Sequence, residues 1–177
     1  MIQSPYRRGA DDGLYFGLYL TAMFFASIFA QTLPVLSLAA FAMMVAVPVV
    51  IYGFMRSYNR ALGSAATFPM LWMQGVVIFF CGILISGAAL VIYMKWIEPD
   101  FVINQIRSVA ELAGTAPGTM MDEAADLASK MIEARFVPTP ISIVTELIML
   151  AIASGSILSI ILSALFALRR KSLQKAA

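Results

Sequence analysis

The stretch 70–93, MLWMQGVVIFFCGILISGAALVIY, decides the fold of this chain because it is long and apolar enough to cross a lipid bilayer. A helix needs roughly 17 to 25 mainly apolar residues to span the hydrocarbon core. Three other stretches have the same character, so we expect spans at about 14–33, 35–55, 70–93 and 141–168. The chain is therefore predicted to be all-α, a four-helix transmembrane bundle forming a single membrane domain, 1–177.

The composition excludes several classes of site. The chain of 177 residues is 61% hydrophobic and 12% charged, which leaves too little polar surface to cover a water-soluble protein of this size. It has no histidine and one cysteine, Cys81, so histidine-dependent triads, histidine metal sites and internal disulfides are excluded. A lone thiol among apolar neighbours is usually a small packing residue. We therefore expect no enzyme activity, no cofactor and no metal.

The basic residues beside the spans predict the orientation. They are Arg7, Arg8, Arg56, Arg60, Arg169, Arg170, Lys171 and Lys175. Because cytoplasmic loops carry an excess of lysine and arginine, we predict a multi-pass protein of the bacterial inner (cytoplasmic) membrane with both termini in the cytoplasm. The segment between spans three and four is richer in carboxylates than in cations and is placed outside. A secretory signal ending at Ala30 is less favoured, because span two returns at once.

Small residues predict where the spans pack on one another. Gly13 and Gly17 lie four residues apart on one face of span one. Gly75, Gly82 and Ser86 lie along one stripe of span three. Small side chains let helix backbones approach closely in membranes, so we expect span one or span four to lie against this stripe.

The outer segment, about 98–137, is predicted to be an amphipathic helical hairpin. Pro99 is expected in the first turn of its first helix, followed by apolar residues at helical spacing from Val102. Gly114 and Pro117 are expected to separate the two helices.

The second helix of the hairpin is expected to begin after Thr119, with Asp122 in a capping-box-like position. Its predicted apolar side consists of Met121, Ala125, Ala128, Ile132 and Phe136. Such a face has to pack on the bundle, in the membrane interface or on a partner.

With span one taken to begin at 14, Glu146 is the only charged residue inside the spans, and it is the candidate intramembrane functional residue. A charge exposed to lipid at the bilayer centre costs roughly 2.5 to 3.5 kcal/mol, which favours a proton-binding or cation-binding role. The alternative is a carboxyl that hydrogen-bonds within the bundle or reaches water, because it lies only about 8 Å below the start of the span. Ser142 and Thr145 precede it on a small, polar face that is expected to point into the bundle.

The order of these features is distinctive. Gly13 and Gly17, the run RSYNR at 56–60, and 63–68 leading to Gly75 are followed by Tyr93, Ile97, Pro99 and Phe101, then an acidic helix, a proline and the last span. This order resembles a bacterial membrane family, the domain of unknown function 4199 family. The resemblance implies a four-span inner-membrane protein and brings no activity, cofactor or catalytic residue.

Two functional hypotheses follow from the sequence. The first is a non-enzymatic, partner-binding or modulatory membrane component whose outer hairpin binds the partner. The alternative is a small transporter or channel subunit that acts as an oligomer and uses Glu146 as its ion- or proton-binding carboxylate. The expected partners are the lipid bilayer, a membrane or extracytoplasmic protein, and a second copy of the chain, with no nucleic acid.

Overall fold

A computed structural model describes residues 4–30, 34–111, 119–134 and 138–175. The regular structure in these ranges is helical: α1 (Pro5–Phe29), α2 (Pro34–Leu62), α3 (Phe68–Ile92), α4 (Phe101–Ala110), α5 (Met120–Glu133) and α6 (Pro140–Lys175). A 3-10 turn (Gly63–Ala65) follows α2, and a π-helical segment (Tyr93–Ile97) continues α3. The end of the first predicted span, 31–33, and the expected break at Gly114 and Pro117 lie outside the described residues.

Four of these helices are long and apolar enough to cross a membrane. The candidate spans are Pro5–Phe29, Val35–Leu62, Phe68–Ile97 and Pro140–Leu168. This confirms the prediction of an all-α, multi-pass membrane protein. The described chain forms two compact units: a bundle unit, 1–87 with 147–177, and a hairpin unit, 88–146.

The first helix begins well before Leu14, and its local sequence explains why. Ser4 is the N-cap, with an extended backbone and a side chain that accepts a hydrogen bond from the Arg7 amide at 3.3 Å. Pro5 occupies the first helical position, where its missing N–H costs nothing and its fixed φ suits a helix. The charged residues from Arg7 to Asp12 are therefore helical.

The core of the bundle unit is drawn from α1, α2, α3 and α6. Its buried members are Phe16, Ile51, Met55, Tyr58, Leu62, Ala66, Leu71, Ile78, Phe79, Leu162 and Phe166. The rings of Phe16 and Phe79 meet edge to face with centroids 5.3 Å apart, and Tyr52 stacks on Phe166 at 5.2 Å. The opposite sides of these helices expose large apolar side chains, as expected of surfaces that face lipid.

Close backbone approaches join α1 to α3. A Cβ at Gly13 would lie 2.7 Å from the Cβ of Cys81, and a Cβ at Gly17 would lie 2.7 Å from the Cβ of Ile85. Because the numbering rises together along both helices, α1 and α3 run parallel. Phe16 fills the space over Gly82, where a Cβ would lie 2.5 Å from the Phe16 ring.

The last helix packs against α3 in the opposite direction. Ser159 lies over Gly75, and Phe79 lies over Gly155, so the numbering falls along one helix as it rises along the other. Ser86 is half-buried, and its hydroxyl donates to the Ile83 carbonyl of its own helix at 3.4 Å.

In the hairpin unit, α4 packs on α5 through small side chains. Val102 of α4 and Ala125 and Ala128 of α5 are buried. The first helix of the hairpin begins at Phe101, so the expectation that Pro99 lies in its first turn is wrong. Pro99 lies in a turn closed by a hydrogen bond from the Phe101 amide to the Glu98 carbonyl.

The end of α3 is fixed to this turn by Glu98. The Tyr93 hydroxyl donates to one carboxylate oxygen of Glu98 at 2.6 Å, and the Asn104 side chain donates to the other at 3.3 Å. Thr119 directly precedes α5, as the sequence predicts, with an extended backbone.

Candidate functional site

A buried carboxylate, Asp12 of α1, is the centre of a polar cluster in the bundle unit. Asp12 is 3% exposed. Its Oδ2 accepts two hydrogen bonds, from Arg8 Nε at 3.2 Å and from Gln74 Nε2 of α3 at 2.8 Å. We call Arg8, Asp12, Ser57 and Gln74 the Asp12 cluster.

The helix geometry explains how these groups meet. Arg8 and Asp12 are four residues apart, so their side chains lie on the same face of α1. Gly9 and Gly13 flank Asp12 and bring α1 close to α3, since a Cβ at Gly9 would lie 3.1 Å from the Gln74 carbonyl oxygen. The Gln74 side chain is thereby brought within hydrogen-bonding distance of the carboxylate.

Arg8 extends the cluster to α2 and to the surface. Its terminal nitrogen donates to Ser57 Oγ at 3.3 Å, and its side chain is 35% exposed. Arg56 and Arg60, on either side of Ser57 in the sequence, are exposed. The Asp12 cluster therefore lies where the ends of α1 and α2 carry their arginines, which we call the basic end of the bundle unit.

Polar atoms without a partner lie in the bundle interior beside this cluster. Gln74 is fully buried, and its Oε1 has no hydrogen-bond partner among the described residues. The same holds for the hydroxyls of Ser159 and Ser163, which are also fully buried on α6. Ser159 packs on Gly75, the residue after Gln74. A buried acceptor without a donor lowers the stability of the fold by about 1 to 3 kcal/mol. The Gln74 amide oxygen is such an acceptor.

Asp12 lies before the predicted start of span one at 14, so the apolar pattern alone does not identify it as a buried charge. Two signals were available. Ser4 followed by Pro5 is a helix start, which places Asp12 in the third turn of a helix that continues into the span. Gln74 is the only amide side chain in α3, which contains no charged residue.

Glu146 has a different environment. It is exposed on α6, within the hairpin unit. The hydroxyls of Ser142 and Thr145 donate to the carbonyls of Thr139 and Ile141, respectively, both at 2.8 Å. These hydrogen bonds are local to the start of α6. We expected this polar face of α6 to point into the bundle, but Thr145 and Glu146 on it are exposed. A role for Glu146 in transport stays a prediction.

The surface of α5 has an apolar and an acidic side. Met120, Ala124, Leu127 and Met131 recur at helical spacing, which we call the α5 strip. Met120 is 89% exposed and Leu127 is 61% exposed. Of the predicted apolar side, only the alanines are buried, whereas Met121 and Ile132 are exposed. Ala125 and Ala128 face α4, because small side chains allow two helices to pack closely. Phe136 lies outside the described residues.

The acidic side of α5 carries exposed carboxylates at Glu123, Asp126 and Glu133. Lys130 donates to Asp126 at 2.6 Å, and this hydrogen bond raises the pKa of Lys130 above its usual value. Since both side chains are exposed, the pair contributes little to stability.

The described residues contain no group of three or more histidine, cysteine, aspartate or glutamate side chains that could hold a metal ion. The model of the family described as "Protein of unknown function (DUF4199)" matches residues 11–167. No curated protein and no solved structure matches the chain.

Proposed function

Because the chain belongs to the family described as "Protein of unknown function (DUF4199)", which carries no assigned activity, we propose its function from the hairpin surface. The protein is a non-enzymatic membrane component that binds a protein partner through the α5 strip. It resides in a bacterial inner membrane with both termini in the cytoplasm and the hairpin outside. The orientation rests on the positive-inside rule applied to the arginines at the basic end.

The exposed α5 strip is the observation that carries this proposal. The hairpin already has its own contact, made by Val102, Ala125 and Ala128, so the strip is not needed to hold α4 on α5. Met120 and Leu127 nevertheless expose most of their side chains. A contiguous apolar surface rimmed by polar residues is typical of an interaction site.

The charges beside the strip favour a protein over a lipid surface as the occupant. Helices that lie on membranes are rich in lysine and arginine on their polar face, since anionic lipids attract them. The polar face of α5 instead carries Glu123, Asp126 and Glu133, with Lys130 paired to Asp126. The complementary partner presents an apolar ridge flanked by basic side chains.

Site-specific photocrosslinking in native membranes tests this proposal. We expect a photoreactive residue at Leu127 or Met131 to yield one protein adduct of defined mass, because both positions lie on the strip. The matched control is Glu133, which is exposed on the acidic side of the same helix. Adding Glu123→Lys should weaken the adduct, since it removes the charge complementarity.

Three results would overturn the proposal. Equal adducts at Leu127 and Glu133 would show that the contact does not depend on the face. Adducts with lipid alone would assign the strip to the membrane surface. An adduct of twice the mass of the chain would show that a second copy covers the strip.

A further inference from the structure

We propose that the Asp12 cluster is a proton-binding site in which Asp12 exchanges its ion pair with Arg8 for a proton. The cluster lies within the bundle unit and involves no residue of the hairpin unit. In the ionised cluster, Asp12 Oδ2 accepts from both Arg8 and Gln74. Asp12 Oδ2 therefore has two donors, whereas the fully buried Gln74 Oε1 has none among the described residues.

Protonation offers Gln74 Oε1 the donor that it lacks. A proton from water at the basic end bonds to Asp12 Oδ2, and the carboxyl group becomes neutral. Rotation of the Gln74 amide by half a turn then places Oε1 where Nε2 was, so the new O–H of Asp12 donates to it. Nε2 then takes the position that Oε1 had. The hydrogen bond between Asp12 and Gln74 is thus kept in both protonation states, with its direction reversed.

Arg8 has an alternative environment when it leaves Asp12. It already donates to Ser57 Oγ, and its side chain is 35% exposed, so it keeps its charge in contact with water. The Asp12 carboxylate cannot reach water in the same way, because Asp12 is 3% exposed. A buried carboxylate that loses its partner favours the neutral form, so release of Arg8 and uptake of a proton are coupled.

Few other charges act on the cluster. On α1, Asp11 is adjacent but exposed, and on α2 the exposed Arg56 and Arg60 flank Ser57. Tyr58 of α2 is buried in the core. The described side chains of α3, and those of α6 between 147 and 168, include no aspartate, glutamate, lysine or arginine. Besides the burial of Asp12 itself, Arg8 and Gln74 are therefore the main groups that act on the carboxylate.

Infrared difference spectroscopy of the full chain in nanodiscs tests the site. The measured signal is the C=O stretch of a protonated carboxyl group, recorded against pH as wild type minus Asp12→Asn. We expect one band that appears on acidification. Asp12→Asn should still fold, since its amide can donate to Gln74 Oε1. The matched control is Asp11→Asn, in which the Asp12 band should still appear on acidification, because Asp11 is exposed.

A second pair of variants separates a proton site from a structural ion pair. Arg8→Met should move the midpoint of the Asp12 band to higher pH by about one to three units, because an adjacent arginine favours the ionised form by that amount. The control Arg7→Met should leave it unchanged, since Arg7 is exposed. Gln74→Leu, or Gln74→Asn if the leucine variant does not fold, should shift the frequency of the band. The proposal is overturned if no Asp12-dependent band appears at any pH at which the chain stays folded, or if Arg8→Met leaves the midpoint in place.

Discussion

Individual glycines set how closely the helices of the bundle unit approach one another. Gly82 is one such case, because a Cβ there would lie 2.5 Å from the ring of Phe16, which is itself 1% exposed. The ring is also held by Phe79 across the core. It therefore has little freedom to move aside, and the approach of α1 to α3 depends on glycine at this position.

We expect Gly82→Ala to destabilise the bundle by about 1 to 3 kcal/mol, the usual cost of overpacking a filled core. The matched control is Gly53→Ala in the interior of α2, where a Cβ would meet no atom within 4 Å. That change should be neutral or slightly stabilising, because alanine is the better helix former by about 1 kcal/mol. Unfolding in mixed micelles measures both variants. Equal loss of stability in the two would contradict the packing assigned to Phe16.

At the scale of the helix, the contact between α4 and α5 depends on alanine. Ala125 is fully buried in it, whereas its neighbour Ala124 is exposed. We expect Ala125→Leu to separate the two helices, since a larger side chain cannot fit, and to speed hydrogen exchange across Phe101–Ala110 and Met120–Glu133. Ala124→Leu should leave exchange unchanged. Protection retained in Ala125→Leu would show that the contact is looser than described.

The helices differ in how well the sequence predicts them. The four apolar stretches predict α1, α2, α3 and α6, because length and hydropathy suffice to identify a span. The start of α1 depends on a local cap at Ser4 that hydropathy does not measure, so Asp12 was placed outside the span. Periodicity predicted an apolar side for α5, but which members are buried depends on the side chains that α4 brings to them.

The two candidate sites also differ in how well the sequence predicts them. Glu146 is a candidate from the sequence because it is a charged residue in an apolar stretch, and in the structure it is exposed. Asp12 lies among other charged residues near the N-terminus, where a sequence pattern alone does not mark it. Its burial comes from Gly9 and Gly13, which bring Gln74 of α3 into contact across 62 positions of sequence. Pairings of this kind depend on tertiary packing.

At the scale of the whole molecule, the proposed function requires that the α5 strip be available to a partner outside the cytoplasm. The proposed orientation follows from the positive-inside rule, which favours the cytoplasm for the arginines of the basic end.

Cysteine accessibility in bacterial spheroplasts tests this orientation most directly. In a Cys81→Ala background, a cysteine replaces either Lys130 of α5 or Ala61 near the end of α2, both of which are exposed. We expect a membrane-impermeant maleimide to label Lys130→Cys in intact spheroplasts and to label Ala61→Cys only after permeabilisation. Labelling of Ala61→Cys from outside, with Lys130→Cys protected until permeabilisation, would contradict the orientation and the extracytoplasmic partner with it.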